Sequence, residues 1–190
     1  MASKDLNELI AWLMANPNRA SAGVTNIGIR ALAGFFQKQT GTQFALAPYR
    51  GLPTAVQDLA AGEVDLLFGT PDQLPLMRAG SIKAYAVTST TRLAMAPEIP
   101  TFTEMGMPAL SHSEWVALFA PRGTPREIIA KLNAAAVEAL ADPAVRSRFV
   151  ELGFGVFPRD KQTPEALGAE MKADAEKWWP IIKELGLKAE

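Results

Sequence analysis

Leu6, Leu9, Ile10, Leu13 and Met14 recur at the i, i+3, i+4, i+7, i+8 spacing of an amphipathic helix. Ser3 or Asp5 can cap its start, and Asn16-Pro17 ends it, because the residue before a proline avoids the helical region. A short strand is expected over 19–22, then a turn at Gly23-Val24-Thr25-Asn26. The next helix turns Leu32, Phe35 and Phe36 inward and stops at Thr40-Gly41. From Phe44 the rhythm becomes regular: strand 44–48, helix 53–61, strand 64–68, helix 71–79, strand 82–87. Gly62 and Gly80 stand just past the two helices, where a left-handed residue closes a helix cheaply. Short strands alternating with helices imply βαβ units and a largely parallel sheet covered on both faces.

Thr101-Phe102-Thr103-Glu104 has the form of a capping box. After Met107-Pro108 the composition shifts. A strand is expected over 115–120, and Thr124-Pro125-Arg126-Glu127 combines an N-cap threonine, a first-turn proline and a reciprocal glutamate. Ile128, Ile129, Leu132, Ala136 and Leu140 face inward on the helix that follows. Asp142-Pro143 opens another helix, and residues 155–157 read as a further strand. Thr163-Pro164 opens the last helix, which carries Pro180 as a kink. Trp178 and Trp179 point about 100° apart on that helix, so they cannot form one flat stacking surface. One of them packs and the other sits at the surface.

Nineteen basic and 20 acidic residues leave a net charge of −1, so no basic face is available for general nucleic-acid binding. There is no cysteine, which excludes disulfides and thiolate metal sites. A single histidine, His112, cannot build a multi-histidine metal site and reads as a structural residue at a crossover. Asp58, Glu63 and Asp65 read as structural or solvated groups. The chain has no G-x-S-x-G, H-E-x-x-H, Walker or G-x-G-x-x-G motif. No enzyme activity and no cofactor is expected. No stretch of 18 apolar residues occurs, and the opening Met1-Ala2-Ser3-Lys4-Asp5 does not read as a signal peptide.

One strand–turn–helix junction stands out as chemistry. Ser21, Ala22, Gly23, Val24, Thr25, Asn26 and Gly28 lie where free backbone N–H groups and a positive helix end face an anion.

An ordered series of phrases identifies a family. It runs Ala47-Pro48-Tyr49-Arg50-Gly51, Val56-Gln57-Asp58-Leu59-Ala60-Ala61-Gly62-Glu63-Val64-Asp65, Ala79-Gly80, Ala86-Val87-Thr88, Ile99-Pro100-Thr101-Phe102 and Phe119-Ala120-Pro121-Arg122-Gly123-Thr124-Pro125. In this order and spacing it resembles the tripartite tricarboxylate transporter receptors, the Bug (TctC) extracytoplasmic binding proteins for organic acids. The resemblance implies two α/β lobes in the type II periplasmic-binding-protein arrangement, with a mostly parallel sheet flanked by helices. It implies a periplasmic location and a small organic anion, a di- or tricarboxylate, bound in a cleft and delivered to membrane permease subunits without chemistry.

Carried onto this chain, the carboxylate loop is Ser21 through Gly28, with Arg50-Gly51 and Gly69-Thr70 as second and third cleft loops. All three lie at the carboxyl ends of expected strands, where open α/β sheets bind ligands. The chain departs from the family at Ile29, Arg30 and Ala31, where a small hydroxyl residue or histidine is usual. It departs again at Gly69, where aspartate is common, and Arg30 is the candidate compensating cation. The resemblance divides the chain into a hinge-adjacent helix (1–19), a complete ligand-binding lobe (20–110) and a remainder of the other lobe (111–190). Most of that other lobe is expected to lie outside this sequence. Trp115, Val116, Leu118 and Phe119 then form an exposed apolar edge that a homodimer would cover. Two alternatives share the architecture: a cytosolic ligand sensor like a LysR effector domain, and a dimeric structural homologue without ligand.

Overall fold

The first helix, α1 (Leu6–Ala15), starts where the pattern placed it, and its cap is Asp5 rather than Ser3. The Asp5 carboxylate accepts from the Glu8 N–H at 2.9 Å, while the Glu8 carboxylate accepts from the Lys4 N–H at 2.7 Å. Ser3 is instead buried, its hydroxyl 2.6 Å from the Tyr85 phenol. These observations come from a computed structural model that describes residues 3–187. The chain divides into two units, Met1–Ser113 with Pro180–Glu190, and Glu114–Trp179.

The first unit belongs to the α/β class. Its sheet has three parallel strands in the order β2-β1-β3: β1 (Ser21–Val24), β2 (Ala45–Pro48) and β3 (Leu66–Leu67). Ser21 pairs with Ala45 and Val24 with Pro48 on one side, and Ala22 pairs with Leu66 on the other. Helices α2 (Ile27–Thr40) and α3 (Leu52–Ala61) connect the strands and end at Gly41 and Gly62, both left-handed. A 3-10 turn at Pro71–Gln73 leads into α4 (Leu74–Arg78).

The core of this unit gathers Leu6, Leu9 and Leu13 of α1, Ala22 and Val24 of β1, and Ala33, Phe35 and Phe36 of α2. Phe36 sits among three rings, with centroids 6.2 Å from Phe44, 6.0 Å from Phe68 and 6.1 Å from Phe102. Edge and tilted contacts of this kind contribute about 0.5–1.5 kcal/mol each beyond their buried area. A second cluster joins Leu74, Ala96 and Ile99. The Thr101 box forms: the Glu104 N–H donates to Thr101 Oγ1 at 3.1 Å and the Thr101 N–H donates to Glu104 Oε2 at 2.8 Å.

The strand expected over 82–87 is not a sheet strand. Its contact is a single parallel bridge, Val87 to Thr101. Residues 115–120 and 155–157 likewise form no strand. Strand propensity without a hydrogen-bonding neighbour yields extended chain, because a ladder is a property of two segments.

The second unit contains α5 (Arg126–Ala139), α6 (Pro143–Glu151) and most of α7 (Pro164–Glu184), which runs helical through Pro180. Thr124 does not cap α5. Its hydroxyl donates to the Pro121 carbonyl at 2.8 Å, and the helix begins after Pro125 without a side-chain cap. Asp142 does cap α6, accepting from the Ala144 and Val145 N–H groups at 2.7 and 3.2 Å. Trp178 is half-buried and Trp179 is exposed. Trp115 donates its indole N–H to Asp174 at 2.6 Å. Among the described residues, no helix is long and apolar enough to cross a membrane.

Candidate functional site

The order β2-β1-β3 creates one distinctive place on the sheet edge. α2 leads from central β1 to one neighbour, and α3 leads from β2 back past β1 to the opposite neighbour. Right-handed crossovers stepping in opposite directions put α2 and α3 on opposite faces. Packing agrees, since Ala22 and Val24 share a core with Ala33 and Phe36 of α2, whereas Gly23 faces Ala55 of α3. Adjacent strands whose outgoing loops part to opposite faces leave a crevice at their carboxyl ends. Here the crevice opens between the Thr25-Asn26 turn after β1 and the Tyr49-Arg50-Gly51 turn after β2.

The second turn is held firmly. The Tyr49 N–H donates to the Val24 carbonyl at 2.8 Å, continuing the β1–β2 ladder by one bond. The Tyr49 phenol donates to Asp58 Oδ2 of α3 at 2.7 Å. That hydrogen bond, with some burial and the negative charges of Asp58 and Glu63, raises the phenol pKa above its ordinary 10.0. The ring leans over Gly23, where an added Cβ would lie 3.4 Å from Tyr49 Cε2 and 3.2 Å from Leu67 Cδ1. Glycine in the central strand therefore makes room for the residue that fixes the next loop.

Arg50 follows directly. It is exposed and has no hydrogen bond or ion pair to any described residue. Gly51 then begins α3 in extended geometry with no side-chain cap, and Pro53 occupies the first turn. The Leu52 and Thr54 N–H groups consequently have no intrahelical acceptor. A cation and two free backbone donors thus share one turn.

Across the crevice, Asn26 caps α2, its carboxamide oxygen accepting from the Ile29 N–H at 2.9 Å. The side-chain oxygen is committed to the helix, while the amide N–H groups and the Ile27 and Gly28 backbone donors remain. A Cβ at Gly28 would lie 3.2 Å from that capping oxygen. Thr25 is half-buried at the strand end. Arg30 is half-buried in the first turn of α2, its backbone N–H donating to the Asn26 carbonyl at 3.0 Å.

The structure divides the expected carboxylate loop. Ser21, Ala22, Gly23 and Val24 are not loop; they are β1 itself, and the last three are buried. Ser21 stands at the amino end of the strand, roughly 10 Å from Val24 at about 3.3 Å per residue. There its N–H donates to Asp65 Oδ2 at 2.9 Å. Only Thr25, Asn26 and Gly28 of that group reach the carboxyl edge. Periodicity missed this because Ser-Ala-Gly-Val carries few of the bulky residues that advertise a strand.

Gly69 and Thr70 follow β3, on the far side of β1 from Arg50. The Thr70 hydroxyl donates to Asp72, whose second oxygen accepts from Gln73 at 2.8 Å. That side of the edge is therefore acidic and internally bonded. Asp58 and Asp65 do not converge on one point; each serves its own partner, Tyr49 and Ser21. Among the described residues, no group of three or more His, Cys, Asp or Glu could hold a metal ion. The arrangement can hold an anion; it names no nucleophile with an adjacent base.

Known proteins share the α/β fold described above. The family model for the tripartite tricarboxylate transporter family receptor matches residues 1–187. A UPF0065 protein from the TAR-I ttuE-ttuC' intergenic region of Agrobacterium vitis is 36% identical over 186 residues, covering 96% of this chain and 54% of that protein. A structure described as a periplasmic transporter superposes with a TM-score of 0.88 at 30% identity, covering 100% of this chain and 63% of the other. An R. palustris protein solved with adipate gives 0.83 at 26% identity, covering 100% and 64%. MatC from Rhodopseudomonas palustris with bound malate gives 0.82 at 28%, covering 94% and 62%. The chain spans just over half the length of most of the curated relatives it matches.

Proposed function

The chain belongs to the tripartite tricarboxylate transporter receptor family, a family of solute-binding receptors rather than enzymes, and from that premise we propose that it binds one carboxylate group of a small organic dianion at the β1–β2 edge. Arg50 carries the reading: it is an exposed guanidinium with no described partner, beside an uncapped helix start, at the crevice the topology creates. Guanidinium and carboxylate match as a two-point pair. The Leu52 and Thr54 N–H groups on one side, and Thr25, Gly28 and the Asn26 amide on the other, supply further donors. Charge-assisted hydrogen bonds contribute about 1.5–3 kcal/mol each, so three or four of them reach the ~8 kcal/mol of a micromolar site before association costs.

Adipate and malate in two similar structures support a dicarboxylate as the ligand class. The acidic Thr70–Asp72 side favours a ligand whose second charged group points away from it. Delivery to membrane permease subunits outside the cytoplasm completes the proposal, as the function of the family to which the chain belongs.

Calorimetry against a panel of di- and tricarboxylates tests it. Arg50→Ala should weaken binding about 10- to 100-fold, the equivalent of one lost charge-assisted contact. Arg50→Lys should restore part of it, since the point charge remains without the planar fork. Unchanged affinity in Arg50→Ala removes the residue from the site. No binding by the wild type at millimolar ligand removes the site.

A further inference from the structure

Arg50 is positioned by the residue before it. Only Arg50 and Gly51 separate Tyr49, which follows β2, from Leu52, which begins α3. On the sheet side, the Tyr49 N–H donates to the Val24 carbonyl at 2.8 Å and fixes its backbone to β1. The ring lies over Gly23, where an added Cβ would come within 3.4 Å of Cε2. On the helix side, the phenol donates to Asp58 Oδ2 at 2.7 Å. Asp58 is itself anchored, because its carbonyl accepts from the Gly62 and Glu63 N–H groups that close α3. A backbone bond at one end and a side-chain bond at the other therefore clamp the short connection that carries the cation. Without the clamp, a connection half made of glycine would keep many conformations, and an anion would have to order it on binding.

We propose that Tyr49 is a positioning residue for the anion site: its hydroxyl, bonded to Asp58, holds the Arg50–Gly51 connection so that the guanidinium stays at the crevice. This role rests on the reading of Arg50 as the carboxylate partner. It explains why a tyrosine and not a phenylalanine precedes the arginine. A phenylalanine ring would fill the space over Gly23 and leave the bond to Val24 intact, so the hydroxyl contributes the link to α3 alone.

Two measurements on one set of variants test it. The Arg50–Gly51 bond is a trypsin site, and Arg122–Gly123 is the same dipeptide in the second unit, with both arginines exposed. In the ligand-free chain, Tyr49→Phe should speed cleavage after Arg50 about three- to tenfold, a part of what one hydrogen bond to a charged acceptor contributes. Cleavage after Arg122 should not change. Calorimetry with malate and adipate should show Tyr49→Phe binding about three- to tenfold more weakly than the wild type. Asp58→Ala should match it, and Asp58→Asn should bind nearly as the wild type does, since a carboxamide oxygen still accepts from the phenol. In an Arg50→Ala background, Tyr49→Phe should change affinity by less than about twofold, because a residue acting through Arg50 then has nothing to position. Circular dichroism confirms that each variant is folded before the comparison is made. Unchanged cleavage after Arg50, equal acceleration at both bonds, or the same loss of affinity with and without Arg50 overturns the positioning role. So does wild-type affinity in Tyr49→Phe where Arg50→Ala is weakened, and that result leaves the binding site standing. A wild type that binds neither acid, or an Arg50→Ala variant that binds as well as the wild type, overturns the binding site and this role with it.

Discussion

Asn26 offers the sharpest separation of scaffold from site, because it has one role in each. Its carboxamide oxygen caps α2 through the Ile29 N–H at 2.9 Å. Its amide N–H groups make no hydrogen bond to a described residue. Asn26→Ala removes the cap, at a cost of about 1 kcal/mol within a range of roughly 0.5–2. For a unit of this size that lowers the thermal midpoint by roughly 3–5 °C. Asn26→Asp behaves differently, since a carboxylate caps as well as a carboxamide and interacts favourably with the helix start. Its midpoint should equal or slightly exceed that of the wild type. The same carboxylate, however, puts a negative charge beside the proposed anion site, so dicarboxylate affinity should fall by at least tenfold. The assays are far-UV circular dichroism melting and calorimetry on the same preparations. Equal destabilisation by Ala and Asp refutes the capping argument. Unchanged affinity in a stable Asn26→Asp refutes the placement of the anion between these two turns.

Two further outcomes follow from the titrating groups. Arg92, then the Thr101 N–H, hold the Glu104 carboxyl below its ordinary 4.5. Its stabilising contribution is thus present above that value and is lost as pH falls through the lowered one, so Glu104→Gln should flatten the acid limb of a stability profile. The effect is small, because the Arg92 and Glu104 side chains are 43% and 46% exposed. Tyr49 works in the other sense, its raised phenol contributing stability below about pH 10 and losing it as pH rises through the folded value. The difference in ultraviolet alkaline titration between wild type and Tyr49→Phe should show a phenol ionising above 10.0. A difference curve centred at or below that value contradicts the Asp58 bond.

The residues that announced themselves in the sequence were those with local physics. Asp5 and Asp142 cap, Gly41 and Gly62 close helices, and Thr101 with Glu104 forms a reciprocal box, each within four residues of its partner. Hydrophobic spacing placed α1, α2, α3 and β2 within a residue or two of their bounds. The strand at Ser21–Val24 was displaced, and with it half of the expected loop, because small residues carry weak strand signals. Thr124 looked like a cap and is not, since its hydroxyl finds the Pro121 carbonyl first.

What the sequence by itself determined was family, class and the order of elements. All of these depend on short-range propensity and on a series of turn residues at fixed spacing. Tertiary structure decided the rest. Which strands pair, and that β1 lies between β2 and β3, required segments far apart in the chain to meet. That order alone creates the crevice beside Arg50, while the bounds of β1 put Ser21 at the opposite end of the sheet. It also brings Tyr49 onto Asp58 and over Gly23. A local pattern states what a segment can do; a hydrogen-bonding neighbour decides whether it does. For that reason residues 45–48 are a strand and residues 115–120, with a similar apolar pattern, are not.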